Sequence, residues 1–257
     1  MIGAIAGDVI GSAFEFDPIK KKEFPLFSGC SSYTDDSVLT IAIAHALLGE
    51  RQYAQSLWDL GGEFPNAGYG ASFIEWLRSL DPKPYNSWGN GAAMRVSPIG
   101  WACNSIDEVL EQASISASVS HNHPEGIKGA QAVALAVFLA RTATSKKDIK
   151  MELINRFNYD LDRSIDSIRP DYEFEVSCQL SVPESIIAFI EADSFEDSVR
   201  NAISLGGDSD TMACIAGSIA EAFYGSVPST IESRVRNIIP TKLLKIVDQF
   251  TDKFCQK

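Results

Sequence analysis

Apolar residues recur at helical spacing along most of this chain, and no convincing run alternates as a half-buried strand would. Asp35–Gly49 places Val38, Leu39, Ala42, Ala46 and Leu47 on one face. Glu125–Thr142 is Ala-rich and apolar, as suits a buried helix. The same reading predicts helices over Ile106–Ser118, Lys146–Phe157, Pro183–Glu191, Phe195–Leu205, Thr211–Tyr224 and Thr241–Phe254, and a core helix over Met1–Gly11. Pro183 and Pro240 fall near helix starts, where a missing N–H costs little. An ordinary domain is about a fifth strand, so the near absence of strand signals predicts an all-α fold. Loops are expected at Asp17–Tyr33, Gly61–Gly70, Asp81–Asn90 and Asn158–Glu175. None resembles a flexible Gly/Ser linker and no solenoid repeat is found, which predicts one domain over residues 1–257. Asn158–Glu175 carries Asp160, Asp162, Asp166, Asp171, Glu173 and Glu175, and most of it is expected on the solvated surface.

Charge narrows the partners. Twenty-two Lys+Arg stand against 34 Asp+Glu, a formal net charge of −12. Such a surface repels nucleic acid and anionic membrane, though a local phosphate pocket is still allowed. At 45% hydrophobic the 257 residues suffice for a sizeable core and are too apolar for a disordered chain. Five cysteines form neither a zinc-type pair nor a C-x-x-C motif, which favours a reducing compartment. The N-terminal stretch has no basic flank and contains Asp8, unlike a signal peptide, and no apolar run is long enough to span a bilayer. A cytoplasmic protein is expected.

Two hydroxyl-and-carboxylate clusters stand at predicted helix N-termini: Thr34-Asp35-Asp36-Ser37 and Gly206-Gly207-Asp208-Ser209-Asp210-Thr211. Each residue type is a good N-cap or suits the helix dipole. One cap needs only one side-chain oxygen, however, and adjacent carboxylates repel unless neutralised. A hard divalent cation with oxygen ligands would neutralise them. Two such clusters could hold two ions and clamp the oxygens of a substrate.

Three further segments carry chemistry-bearing residues. In Gly7-Asp8-Val9-Ile10-Gly11-Ser12-Ala13-Phe14-Glu15-Phe16, the glycines permit close helix approach, and Glu15 between two phenylalanines needs either exposure or a partner. Gly89-Asn90-Gly91-Ala92-Ala93-Met94-Arg95 is a glycine turn able to offer backbone N–H groups to an anion, or an ordinary turn. Ser120-His121-Asn122-His123-Pro124 holds two of the three histidines. Without soft ligands nearby it suits hydrogen bonding beside a pocket better than zinc, with a plain helix entry as the bland alternative. His45 is expected to be an ordinary helix histidine.

In order and spacing these segments resemble the ADP-ribosylglycohydrolase family, over Met1 to about Tyr224. The most specific parts are Gly7-Asp8…Glu15, Thr34-Asp35-Asp36-Ser37 and Gly207-Asp208-Ser209-Asp210-Thr211. The resemblance implies a compact all-α helical bundle with long active-site loops and a centre of two Mg²⁺ (or Mn²⁺) ions. It implies metal ligands at Thr34, Asp35, Asp36, Asp208, Asp210 and Thr211. Glu15 matches a glutamate that in some members sits on a flexible loop near the metals. Asn90, Gly91, Met94, His121, His123 and Gly207 fall in regions that would line an ADP-ribose cleft. Asn158–Glu175 matches no family motif.

The implied reaction is hydrolysis of the bond between C1 of the distal ribose and a target atom, through a transition state with oxocarbenium character. Metals would orient the ribose diol and the water. Glu15, Asp35 and Asp36 are the candidates to take the water's proton, and the sequence does not choose among them. An arginine-type N-linkage is favoured as substrate, with other ADP-ribosylated proteins or small molecules open; oligomeric state is open too. Two other readings compete. A metal-dependent all-α diphosphate enzyme typically wants D-D-x-x-D, but Asp35-Asp36 is followed by Ser37, Val38 and Leu39. A non-catalytic ADP-ribose-binding or structural relative should have lost metal ligands, and here every matched position carries an oxygen ligand.

Overall fold

The computed structural model describes residues 1–255. Its helices run α1 (Ile2–Gly11), α2 (Asp35–Leu48), α3 (Tyr53–Glu63), α4 (Ala71–Arg78), α5 (Gly91–Met94), α6 (Ser97–Ala102), α7 (Ile106–Ser118) and α8 (Pro124–Arg141). They continue as α9 (Lys146–Phe157), α10 (Ile165–Ile168), α11 (Cys178–Ile190), α12 (Phe195–Ile203), α13 (Ser209–Tyr224), α14 (Ser229–Ile238) and α15 (Thr241–Phe254). Among the described residues the only β-pairing is an isolated antiparallel bridge between Gly89 and Ser177. The fold is all-α, as the periodicity predicts. Among the described residues no helix is long and apolar enough to cross a membrane.

One hydrophobic core runs from Met1 to Phe250. At its centre α1 lies along α13, and every residue of α1 is buried. The approach is set by small residues one helical turn apart. A Cβ on Gly7 would stand 2.0 Å from the Ala213 carbonyl oxygen, and one on Gly11 would stand 2.4 Å from that of Ser209. Real side chains cannot sit that close, so glycine is required for these two backbones to touch. The contact brings the C-terminal half of α1 to the first turn of α13, where the second acidic cluster lies. Helix α8 forms the other hub and packs against α5, α6, α7, α9, α11 and α13.

Most predicted helices are present with ends shifted by a residue or two. Three amphipathic helices, α3, α4 and α14, lie where no helix was predicted. Each window is short, 8 to 11 residues, so its apolar stripe spans only two or three turns. Pro183 does not open a helix; it lies inside α11, which begins at Cys178. The start is fixed by tertiary bonds: Cys178 N–H donates to Trp88 O at 3.0 Å, and Asn90 N–H donates to Val176 O at 2.8 Å. Gln179, whose carbonyl Pro183 leaves without a helical donor, is exposed, so water can serve it. Asn158–Glu175 also departs from expectation. Tyr159, Leu161, Ile165 and Ile168 are buried in the core, and the segment contains α10. Its acids face outward between those apolar anchors, and a reading by net charge hides the anchors.

Candidate active site

The two acidic clusters meet. Thr211 Oγ1 donates to Asp36 Oδ2 at 3.2 Å, joining the first turns of α13 and α2. Thr34 caps α2 by accepting from Asp36 N–H at 3.2 Å, so the N-cap reading holds for that residue. It fails for Asp208, which makes no side-chain cap; its Oδ2 instead accepts from Asn90 Nδ2 at 2.8 Å.

Between the clusters lies Asp8, to which the sequence reading assigned no role. Its carboxylate is fully buried and accepts from Thr34 N–H (3.0 Å), Thr34 Oγ1 (2.8 Å), Ser37 N–H (3.0 Å) and the Ser37 hydroxyl. Asp8 thereby ties α1 to the N-terminus of α2 and orients the carboxylates of that turn. The available signal was a lone acid in a helix otherwise wholly apolar, which must find several donors if it is buried.

Glu15, in the turn after α1, completes the group. One carboxylate oxygen from each of Glu15, Asp208 and Asp210 lies within 4.8 Å of the others. Asp36, Asp208, Asp210 and Thr211 are buried, whereas Glu15 and Asp35 are half-buried on the cavity wall. Burial and the neighbouring Asp210 push Asp8 and Glu15 up to about 7. Burial first, then Asp210 and Asp8, raise Asp35 and Asp36 well above the usual carboxylate range. Asp208 is raised by burial and by Asp210, against the pull of Asn90. The donor set fits a hard divalent cation. All its donors are oxygens, and Asp36 Oδ1 is buried with no hydrogen-bond partner, an acceptor left facing like charges.

The carboxylates open on a cavity of about 380 Å³. The rest of its lining is different in kind and includes Phe73, Tyr85, Trp88, Asn90, Met94, Arg95 and His121. Asn90, Gly91, Met94 and His121 all line this cavity. In the glycine turn the N–H groups of Gly89 and Asn90 are already engaged. Gly89 N–H donates to Ser87 Oγ at 3.1 Å and Asn90 N–H to Val176 O. Arg95, the last residue of that segment, is fully buried and lies over the Phe73 ring at 5.8 Å. It supplies a cation on this wall that the sequence reading did not assign.

Two expected cleft residues lie elsewhere. His123 is the N-cap of α8 and accepts from Glu125 N–H at 3.1 Å through Nδ1, which is the helix-entry role. Gly207 is not on the cavity wall. A Cβ there would stand 2.4 Å from Tyr172 Cε1, so glycine lets Tyr172, from the acidic 158–175 segment, pack under the start of α13. The same segment contributes Phe174 to the cavity, and Val176 just after it lines the cavity too. His45 is exposed on α2, beside Ser56 Oγ at 3.3 Å.

Known proteins similar to this chain share its family and its fold. ADP-ribosylhydrolase ARH3 of Gallus gallus is 26% identical over 344 residues, covering all of this chain and 93% of that protein. ADP-ribosylarginine hydrolase Tri1 of Pseudomonas putida is 23% identical over 271 residues, covering 88% of this chain and 69% of the relative. A solved structure described as an ADP-ribosylglycohydrolase-related protein complex shares the fold, with a TM-score of 0.75 over 98% of this chain and 95% of its own at 22% identity. The family model described as ADP-ribosylglycohydrolase matches residues 1–257, and the chain therefore belongs to the ADP-ribosylglycohydrolase family.

Proposed function

We propose that residues 1–257 act as a single domain that hydrolyses the glycosidic bond between ADP-ribose and a modified target, with two divalent ions, Mg²⁺ or Mn²⁺, at the carboxylate wall. The observation that carries this reading is the direct bond between the clusters, Thr211 Oγ1 to Asp36 Oδ2, beside an unpartnered Asp36 Oδ1. Thr34, Asp35 and Asp36 would hold the ions from one side, and Asp208, Asp210 and Thr211 from the other. When bound, the ions would supply positive charge that orients and polarises the oxygens of the ribose diol and of the attacking water.

The chain's own residues do the remaining work. Asp8 fixes the α2 turn from behind, and Asn90 fixes Asp208. Glu15 is the preferred proton acceptor among Glu15, Asp35 and Asp36. It is half-buried at the cavity, with a carboxylate oxygen within 4.8 Å of those of Asp208 and Asp210. The water oxygen bonds to ribose C1 and its proton goes to Glu15. The C1–target bond breaks and its electron pair leaves with the target atom, which takes up a proton. The rest of the lining, with its aromatic rings and Arg95, suits the nucleotide end of the substrate.

An arginine linkage is the favoured substrate, supported by the name of the Pseudomonas relative. The five unpaired cysteines suit a cytoplasmic setting. A panel of ADP-ribosylated arginine, serine, aspartate and nucleic-acid substrates tests both activity and linkage. Free ADP-ribose should accumulate with time and fastest from arginine. No release from any member would reject the hydrolase reading, and faster release from another member would reassign the linkage.

A further inference from the structure

We infer that a second cavity, apart from the carboxylate centre, is a binding site for a small organic cation that ends in an ammonium or guanidinium group. The cavity holds about 370 Å³ and lies where α8, the 158–163 stretch and α11 meet. It shares no lining residue with the active-site cavity, and the inference does not depend on the glycohydrolase reading. Two of its lining side chains are buried with polar atoms that bond to nothing. Glu184 is 3% exposed; Arg163 Nη2 pairs with its Oε1 at 2.7 Å, and its Oε2 has no partner. Tyr159 is 6% exposed, and its hydroxyl has no partner either. Glu125, in the first turn of α8, adds a third such atom: its Oε2 lies 3.6 Å from Lys128 Nζ, beyond hydrogen-bond reach. Buried polar atoms are normally satisfied, so three of them lining one cavity mark a place built for a donor.

The lining sets the sign of the ligand. Glu125, Asp160 and Glu184 stand against Lys128 and Arg163, so one positive charge balances the site. Both resident cations are already engaged. Arg163 pairs with Glu184 and Asp160, and Lys128 Nζ lies 4.8 Å over the Tyr159 ring. An anion would meet unpartnered carboxylate oxygens here, whereas an ammonium or guanidinium brings only donors. Gln179 lines the same cavity, and its carbonyl, which Pro183 leaves without a helical donor, is a further acceptor. A metal ion fits less well. Among the described residues, three acid ligand atoms come within 4.8 Å of one another only at Glu15, Asp208 and Asp210. Acceptors spread around a cavity suit a longer cation with several N–H donors, each making a charge-assisted bond. The volume is at the small end for ligand sites, which limits the cation to a few carbons.

Calorimetric titration of the intact chain with agmatine, in excess Mg²⁺, tests this directly. Agmatine carries a guanidinium at one end and an ammonium at the other. One agmatine should bind per chain. Glu184→Gln removes the charge and keeps the shape, and should weaken binding about tenfold or more, the scale of one hydrogen bond to a charged group. Asp208→Ala, in the other cavity, should leave the affinity unchanged. No binding at millimolar agmatine overturns the inference, and so does equal affinity in Glu184→Gln. Loss of binding in Asp208→Ala also overturns it, because the cation then sits among the active-site carboxylates. If Glu184→Gln fails to fold, a crystal of the wild-type protein soaked in agmatine decides: a ligand nitrogen against Glu184 Oε2 upholds the site, and water alone there overturns it. A chain that binds agmatine at Glu184 and releases no ADP-ribose from any substrate keeps this site and loses the glycohydrolase reading.

Discussion

The two walls of the cavity were built by opposite electrostatic rules. On one, Asp36, Asp208 and Asp210 are buried within reach of one another, with no cation among them. On the other, the one buried charge is Arg95, bonded only to the Ser116 carbonyl and the Ser120 hydroxyl, and the remaining groups are neutral donors and rings. A wall of packed carboxylates is costly in the metal-free protein and becomes favourable only when positive charge arrives. On the second wall Arg95 Nε and Nη1 are buried without a hydrogen-bond partner, donors left open rather than acceptors. On the proposed function, the first wall would hold the metal ions and the second would recognise the nucleotide.

The largest effect should come from breaking the carboxylate wall. Asp36→Ala or Asp208→Ala should lower hydrolysis by about 10³-fold or more, the scale of losing a preorganised electrostatic centre, with the far-UV helical signal near wild type. Turnover within a few-fold of wild type in either variant would remove the metal assignment. Chelation should act similarly without mutation: exhaustive dialysis against EDTA stops the reaction, and Mg²⁺ or Mn²⁺ restores it.

The pH dependence of the metal effect sharpens the contrast. Asp8 and Glu15 hold protons up to about 7, while an unfolded carboxyl loses its proton near 4. Their contribution to stability of the metal-free fold is thus complete below about pH 4 and is lost as pH rises through about 7. Burial also raises the proposed ligands Asp35, Asp36 and Asp208, so a divalent ion competes with protons for them, the more so the lower the pH. Mg²⁺ or Mn²⁺ should therefore raise Tm more at pH 8 than at pH 5.5. Equal shifts at both would contradict the raised affinities.

Smaller effects separate chemistry from support. Glu15→Gln should lower kcat by about 10²-fold, as for loss of a general base, while most of the metal-induced Tm shift survives. His123→Ala should leave the rate within about twofold and cost about 1 kcal/mol of stability through the lost α8 cap. A large rate loss there would return His123 to the cleft.

The all-helical architecture was legible because helix formation here follows local periodicity, as in α7, α9 and α15, whose ends match the predicted ones. The residues of the acid clusters were legible too, because a helix terminus concentrates them in a short stretch. Asp8 was named and then passed over, since its four donors lie 26 and 29 positions away. Gly207 and His123 were read as cleft residues for their neighbours in sequence, yet Tyr172 and the α8 cap claim them.

The chain by itself determined the helices, the oxygen-ligand clusters and the glycine spacing that lets α1 touch α13, because each depends on residues a few positions apart. Only the tertiary structure decided that Asp36 and Thr211 share a hydrogen bond across |i−j| = 175, and that Arg95, Ser120 and His121 line up behind the cavity. Those facts depend on where rigid helices cross. Crossing is set by the packing of the whole core, and no short window of sequence contains it.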